Sequence, residues 1–270
     1  MGLHLRESSV TEVGAALAEG AVRITLLRTS CLLIEHAGRT AITDPWFRRT
    51  MRGLPVFRRP AIAVRDLPRI DYVFASHLHR DHFHRAAIRA MANPEMEIVG
   101  TVGTAAHCRA LQLRAVHDLA PWEQVEVGPF TVYATPCEHT GPAPAEVNFI
   151  IDLGELRLFF GGDCRWSSAF ADIARRFPGI DVAMLPIGGT RIFGRRTTMN
   201  PADAARAAEV LKPRFVIPIH EGGEWLPVPP ASWHPGRFAH FPGALERSSS
   251  TAQARVLEPG ASAIFMPSPR

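Results

Sequence analysis

Lysine is nearly missing from this chain: Lys212 is the only one, and arginine supplies almost all the positive charge. The balance of 30 Lys+Arg against 26 Asp+Glu leaves a formal charge of +4, and no Lys/Arg block dominates any stretch, so a nucleic-acid-binding surface is not expected. The arginine bias reads as that of a GC-rich bacterial genome. Cysteine is scarce too. Cys31, Cys108, Cys137 and Cys164 form no CxxC pair and are too few for a disulfide framework in 270 residues. No run reaches the roughly eighteen apolar residues that a membrane-spanning helix needs. The opening seven residues lack a basic start followed by an apolar run, so a cytoplasmic protein without a secretory leader is expected. Internal repeats and low-complexity tracts are also absent.

What is present suits a globular fold: 46% hydrophobic and 21% charged residues leave ample material for a core. Short apolar runs punctuated by Gly, Pro and Asp predict strands at 22–27, 31–34, 40–43, 72–75, 130–133, 147–151, 156–160, 182–185, 215–217, 255–257 and 263–265. The turn 36–39 between the second and third suits a hairpin. Helices are predicted over 81–91, 104–113, 167–177 and 200–211, the last with Asn200 as N-cap, Pro201 in the first turn and Lys212-Pro213 as its stop. Hairpins first, then strands alternating with helices, argue a mixed, layered α/β domain. Three loops stand out. The loop 46–60 is arginine-rich, holding Arg48, Arg49, Arg52, Arg58 and Arg59; 187–199 is Gly-rich and holds Arg191, Arg195 and Arg196; 226–235 carries four prolines and should be a rigid, irregular connection.

Directly after the strand 72–75 come His77, His79, Asp81 and His82, within six residues. At a strand end His77 and His79 can point the same way, because side chains alternate with period two, and Asp81 and His82 fall where the chain turns toward the next helix. Imidazole and carboxylate are ligand types for zinc, and also for manganese or iron. Two closely spaced groups suggest two ions rather than one. A His-rich surface turn is the alternative, but with 12 His in the chain such a cluster should arise by chance in roughly one chain per thousand. His139, Asp163 and His220 each follow an apolar strand in the same way. Any one alone is more often a structural residue; together with the cluster they make seven candidate ligands at one edge of the sheets. His84 reads as a surface histidine at a helix start. Cys137 and Cys164 flank ligand positions but read as small buried residues, since the His/Asp set is complete without them. Arg195 and Arg196 could hold an anionic group of a substrate, against the alternative of solvated arginine. Trp46, with Phe47 and Trp225, could form an apolar wall or simply pack.

This pattern resembles the metallo-β-lactamase superfamily. Its HxHxDH signature is matched by His77, His79, Asp81 and His82, its later motifs by His139, Asp163 in Gly-Gly-Asp and His220, and an early Asp-Pro by Asp44-Pro45. The branch most similar is that of ascorbate-6-phosphate lactonase-like and N-acylphosphatidylethanolamine phospholipase D-like proteins, through Leu185-Pro186-Ile187-Gly188 and Met199-Asn200-Pro201. The resemblance implies one domain over 1–270, with a core at about 22–268 after an N-terminal extension. Its fold would be a four-layer αββα sandwich of two mixed sheets flanked by helices. It implies two divalent ions, zinc foremost with manganese or iron as alternatives. His77, His79 and His139 would hold one; Asp81, His82 and His220 the other; Asp163 would bridge them. The expected activity is hydrolysis of an ester-type bond (a phosphodiester, a lactone or a related group) in a small, anionic molecule, by a water activated between the ions. Asp81 would additionally orient that water or accept its proton. The alternatives are a di-iron redox or oxygen-binding protein of the same fold, whose motif usually has Glu where this chain has His79, and a non-catalytic metal-binding protein.

Overall fold

The computed structural model describes residues 7–9, 13–51, 53–140 and 146–267. The leader reading of residues 1–6, Arg52 and the core boundary at 268 lie outside them. Four strands open the chain: β1 (Glu7–Ser9), β2 (Val22–Arg28), β3 (Cys31–His36) and β4 (Arg39–Thr43). Between β3 and β4 the two turn residues Ala37 and Gly38 have φ of 48° and 71°, the backbone that a two-residue hairpin requires. A short ribbon follows, β5 (Thr50–Met51) with β6 (Leu54–Pro55). The next elements are β7 (Tyr72–Ala75), α1 (Arg85–Met91), β8 (Glu97–Thr101), α2 (Thr104–Cys108) and β9 (Ala115–Leu119), whose strands are parallel. An antiparallel meander comes next: β10 (Gln124–Val127), β11 (Phe130–Pro136), β12 (Val147–Asp152) and β13 (Arg157–Phe160). The remainder is α3 (Ala169–Arg176), β14 (Val182–Pro186), β15 (Arg191–Ile192), β16 (Arg195–Arg196), α4 (Pro201–Leu211), β17 (Phe215–Ile219), β18 (Ser232–Trp233), α5 (Phe241–Glu246), β19 (Gln253–Ala254) and β20 (Ala261–Phe265).

Two large mixed sheets result, with strand orders β1-β20-β2-β3-β4-β7-β8-β9 and β10-β11-β12-β13-β14-β17-β19. The continuous apolar runs are strands buried on both faces, and the period of two divides their side chains between two cores. In β3, Leu32 and Ile34 join the core between the sheets, whereas Cys31 and Leu33 join the one beneath α1 and α2; in β7, Tyr72 and Phe74 take the first side and Val73 and Ala75 the second. Helices α3, α4 and α5 cover the outer face of the second sheet, burying Phe170, Ile173, Ala204 and Leu245. This is the four-layer αββα sandwich.

Several boundaries differ from the sequence reading. Residues 81–84 are not helical, α2 ends at Cys108 rather than 113, and the strand expected at 255–257 is β19, two residues earlier. Strands β8, β9 and β10 were not anticipated. Part of the stretch read as an N-terminal extension is itself a strand, since Glu7–Ser9 pairs antiparallel with β20. By contrast the start of α4 is as expected. The Asn200 side chain accepts from the Asp203 amide (2.8 Å), and the Asp203 carboxylate reaches back to the Asn200 amide (3.3 Å), a reciprocal capping box. Replacing Asn200 with Ala should cost about 1 kcal/mol in chemical denaturation, and an unchanged midpoint would show the cap to be idle.

Candidate metal centre

The candidate ligands leave the C-terminal ends of strands, where an α/β sheet opens its crevice. His77 follows β7 by two residues, His139 follows β11, Asp163 follows β13 and His220 directly follows β17. The segment 77–82 folds as a tight turn in which the amides of His82 and Phe83 both donate to the His79 carbonyl (3.0 and 2.8 Å). The His84 amide donates to the Pro45 carbonyl (3.0 Å), so α1 begins only at Arg85. That delay lets Asp81 and His82 face back toward the strand end. Gly162 has φ of 48°, and a Cβ there would stand 2.6 Å from the Ser76 hydroxyl, so only glycine lets the Asp163 turn pack against the His77 turn.

The side chains converge as two groups. Ligand atoms of His77, His79 and His139 all lie within 4.8 Å of one another, and so do those of Asp81, His82, Asp163 and His220. Asp163 sits between the groups: its Oδ1 is 2.9 Å from His220 Nε2, and its Oδ2 is 3.2 Å from His82 Nε2 and 3.7 Å from His139 Nε2. Asp81 Oδ2 is 3.6 Å from His82 Nε2. A simple observation tests whether this arrangement suits a metal. The Nε2 atom of His77 is buried without a hydrogen-bond partner, and those of His82 and His220, equally buried, face only the Asp163 carboxylate. Buried polar nitrogens aimed at one point and unpaired there are costly unless a cation takes their lone pairs, so the donor set fits divalent ions that prefer nitrogen and carboxylate ligands.

The far nitrogens of the rings fix which nitrogen faces the centre. His139 Nδ1 donates to the Thr197 carbonyl (2.7 Å). Asp44, fully buried after β4, accepts from the Ser76 amide (2.8 Å), the Ser76 hydroxyl (2.7 Å) and His82 Nδ1 (2.7 Å). Because the Ser76 hydroxyl gives its proton to Asp44, it accepts from His77 Nδ1 (2.9 Å). One carboxylate therefore orients His82 directly and His77 through Ser76, leaving both Nε2 lone pairs toward the centre. Asp44 also lies near both rings as a possible third ligand group, but it meets their outer nitrogens and is spent on these hydrogen bonds. Replacing Asp44 with Ala should weaken metal binding about 10- to 100-fold in a chelator competition; unchanged affinity would remove it from the site.

Burial and charge work against each other here. Burial lowers His77 well below its ordinary pKa, and the neighbouring His82 and His139 add to the effect. Against the cost of burial, Asp163, Asp81 and Asp44 raise His82 well above its ordinary value. Burial likewise disfavours the Asp163 anion, yet His220 and His82 hold its pKa well below the usual carboxylate range. Burial thus favours neutral imidazole at His77 and His79, whereas a cation entering the second group competes with the proton that the carboxylates favour on His82.

The remaining sequence candidates fare unevenly. Trp46 corrects an expectation: it is fully buried, stacked on Trp225 (5.0 Å, 7°) and covered by the Arg28 guanidinium (3.7 Å), so it presents no face to a substrate. Arg196 is held by Asp203 at the start of α4 (2.6 Å), whereas Arg195 stands exposed across from Ile192. His84 is half-buried rather than a surface residue, with its pKa lowered to about 4 by burial and by Arg48. Burial raises the Cys137 and Cys164 thiols, which keeps them protonated and poor as ligands. Other neighbours of the site were not singled out in the sequence. Thr190 Oγ1 meets His234 Nδ1 (3.0 Å), His234 and His220 both stack with Trp225 (5.8 Å each), and Glu224 is buried against Arg28 and Thr29. For Arg28 a signal existed: a charge within the apolar run 22–34 is either a turn or a buried pair.

A family model for the beta-lactamase superfamily domain matches residues 39–220. The chain belongs to this superfamily of metallohydrolases. It is 31% identical over 252 residues to a UPF0173 metal-dependent hydrolase of Desulforamulus reducens, an alignment covering 88% of this chain and 98% of that protein. Among solved structures it is similar to Igni18, a metallo hydrolase of the archaeon Ignicoccus hospitalis (TM-score 0.71, 20% identity, 91% of this chain and 98% of that one). It is also similar to CmlA, a diiron β-hydroxylase of Streptomyces venezuelae (TM-score 0.68, 17% identity, 93% of this chain and 55% of that one). Among the described residues no helix is long and apolar enough to cross a membrane.

Proposed function

We propose that the protein hydrolyses an ester-type bond, in a phosphodiester, a lactone or a related small anionic molecule, at a centre of two divalent ions. The observation that carries this reading is the set of buried Nε2 atoms converging on both sides of the Asp163 carboxylate. His77, His79 and His139 would hold one ion, Asp81, His82 and His220 the second, with Asp163 between them. Zinc is the ion we expect, with manganese or iron as alternatives. Bound there, such ions would polarise the bond under attack and lower the pKa of a water they share. Asp81, the more exposed of the two carboxylates, stands at the edge of the second group and would orient that water or accept its proton. Asp44 and Thr197 hold the imidazoles in register, and Arg195 is the guanidinium left available for an anionic group of the substrate.

The test is hydrolysis by the metal-loaded protein across a panel of phosphodiesters, lactones, thioesters and β-lactams, with His77→Ala as control. Turnover of an ester class that disappears in the control supports the reading. Turnover that persists in His77→Ala, or no turnover across the panel, removes it. The likeness to CmlA is one of fold; stoichiometric iron in the purified protein, in place of zinc or manganese, would favour a redox role.

A further inference from the structure

Phe193 breaks a local rule. The hairpin of β15 and β16 turns on two residues, Phe193 and Gly194, with φ of 46° and 80°. Such tips favour Asn, Asp or Gly, and a bulky aromatic in left-handed backbone is penalised. The Phe193 side chain is also 76% exposed, so no packing offsets that penalty. A strained residue that stabilises nothing in the fold points to something outside it.

Its surroundings say what. Among the described residues, every large exposed apolar side chain except Val102 and Val256 belongs either to residues 54–57 or to residues 192–233. The main ones are Phe57 (61% exposed), Ile192, Phe193, Leu226, Val228 and Trp233 (51%). The two stretches meet, since the Phe57 amide donates to the Glu224 carbonyl (3.1 Å), and β15 pairs with β18 so that Arg191 lies across from Trp233. Scattered exposed apolar residues are ordinary, but a contiguous set is not. The charge is equally one-sided. Segments 46–60, 187–199 and 225–240 contain no Asp or Glu, and the first two carry eight arginines. Arg58 and Arg196 are paired, with Glu221 and Asp203, while Arg48, Arg49, Arg191 and Arg195 stand exposed.

We propose that this face, led by the Phe193 hairpin tip with Trp233 and the flanking arginines, docks onto an anionic lipid surface. The feature is a protruding tip, and a protrusion needs a medium to enter rather than a ligand to enclose. Aromatic side chains partition to the headgroup level of a bilayer, and guanidinium groups pair with its phosphates. A second copy of the chain fits poorly, because a two-fold contact through this face would set arginine against arginine. The docked face adjoins the metal centre. The base of the hairpin holds His139 through Thr197, and Phe193 lies three residues beyond Thr190, about 10 Å along a strand. The inference goes beyond the hydrolytic reading and does not rest on it.

Vesicle co-sedimentation of the metal-loaded full chain tests it. Binding is expected to vesicles of phosphatidylcholine mixed with phosphatidylglycerol and not to phosphatidylcholine alone, with a blue shift of tryptophan fluorescence that Trp233→Phe abolishes. Phe193→Ser, at an exposed tip, should keep the wild-type melting point and bind at least about tenfold more weakly. Arg191→Gln and Arg195→Gln should each cost about fivefold, and less in high salt. Equal binding to neutral and anionic vesicles overturns the proposal, as does binding that Phe193→Ser leaves unchanged. A wild-type dimer that Phe193→Ser dissociates would overturn it too, assigning the face to self-association. None of these readings requires turnover, so they fail or succeed separately from the ester panel.

Discussion

Asp163→Ala is expected to abolish hydrolysis and to purify with at least one equivalent of metal fewer than the wild type. The reason is positional. Among the described residues Asp163 is the carboxylate whose oxygens face Nε2 atoms of both groups, through His220 and His82 on one side and His139 on the other, whereas Asp44 meets the outer nitrogens. Removing it leaves facing imidazoles with no anion between them, so two cations brought to the same place would meet their mutual repulsion without its compensation. On the proposed two-ion reading, a centre that supplies several kcal/mol of transition-state stabilisation would lose it with the shared ligand, a fall on the order of a thousandfold or more in kcat/KM. Metal stoichiometry is an independent readout, because it does not depend on knowing the substrate. Asp163→Asn is the sharper comparison: it keeps the volume, and its amide can lend one oxygen to one ion, so partial metallation with little activity is expected. A fully metallated and fully active Asp163→Ala would sink the assignment of Asp163 as the bridge.

The seven candidate ligands were legible because each stands just past an apolar strand, and the C-terminal ends of such strands gather at one edge. Most of the strands were legible for a related reason: buried on both faces, they read as continuous apolar runs. Strands β8 to β10 were not. In β8 the apolar Ile98 and Val99 are framed by Glu97 and Gly100, and β9 and β10, at the sheet edges, carry polar residues such as His117, Asp118, Gln124 and Glu126 that break up the apolar run. The helix start at 81 was misplaced because the Ala/Arg-rich run 85–91 was extended back to Asp81, whereas the hydrogen bonds to His79 and Pro45 hold a turn that aims Asp81 and His82. The strands of the small sheet, β15, β16 and β18, are only two residues long and lie among Gly and Pro, which masked them. Trp46 was misjudged because a tryptophan beside a motif looks like a wall; the buried guanidinium lying over it could only be seen in three dimensions.

That guanidinium leads to the second large effect. Glu224→Ala should destabilise the protein by about 3–5 kcal/mol, which for a chain of this size lowers the melting temperature by roughly 10 °C. Arg28 and Glu224 are almost wholly removed from solvent, and burial already pushes the Arg28 pKa down while Glu224 opposes it. The carboxylate accepts from Arg28 Nε (3.1 Å), from the Thr29 hydroxyl (2.6 Å) and from the Thr29 amide (2.9 Å). Truncating it leaves a buried cation without its counter-charge and two buried Thr29 donors without partners. The damage should reach the metal centre. The Thr29 carbonyl accepts from the His220 amide (2.9 Å), and both residues hold left-handed backbone, with φ of 49° and 50°. Each such residue costs roughly 1–2 kcal/mol to keep in place, so loosening Thr29 should let His220 relax and weaken the second metal position. Glu224→Gln should lose less, because its amide oxygen can still accept from Thr29. Arg28→Met combined with Glu224→Met should recover part of the loss by removing the orphaned charge, though not the unpaired Thr29 donors. Thermal melts of the wild type and these three variants rank the losses, and chelator competition on the same samples reads the metal affinity. A melting temperature of Glu224→Ala within about 2 °C of wild type would show that the buried pair holds nothing in place.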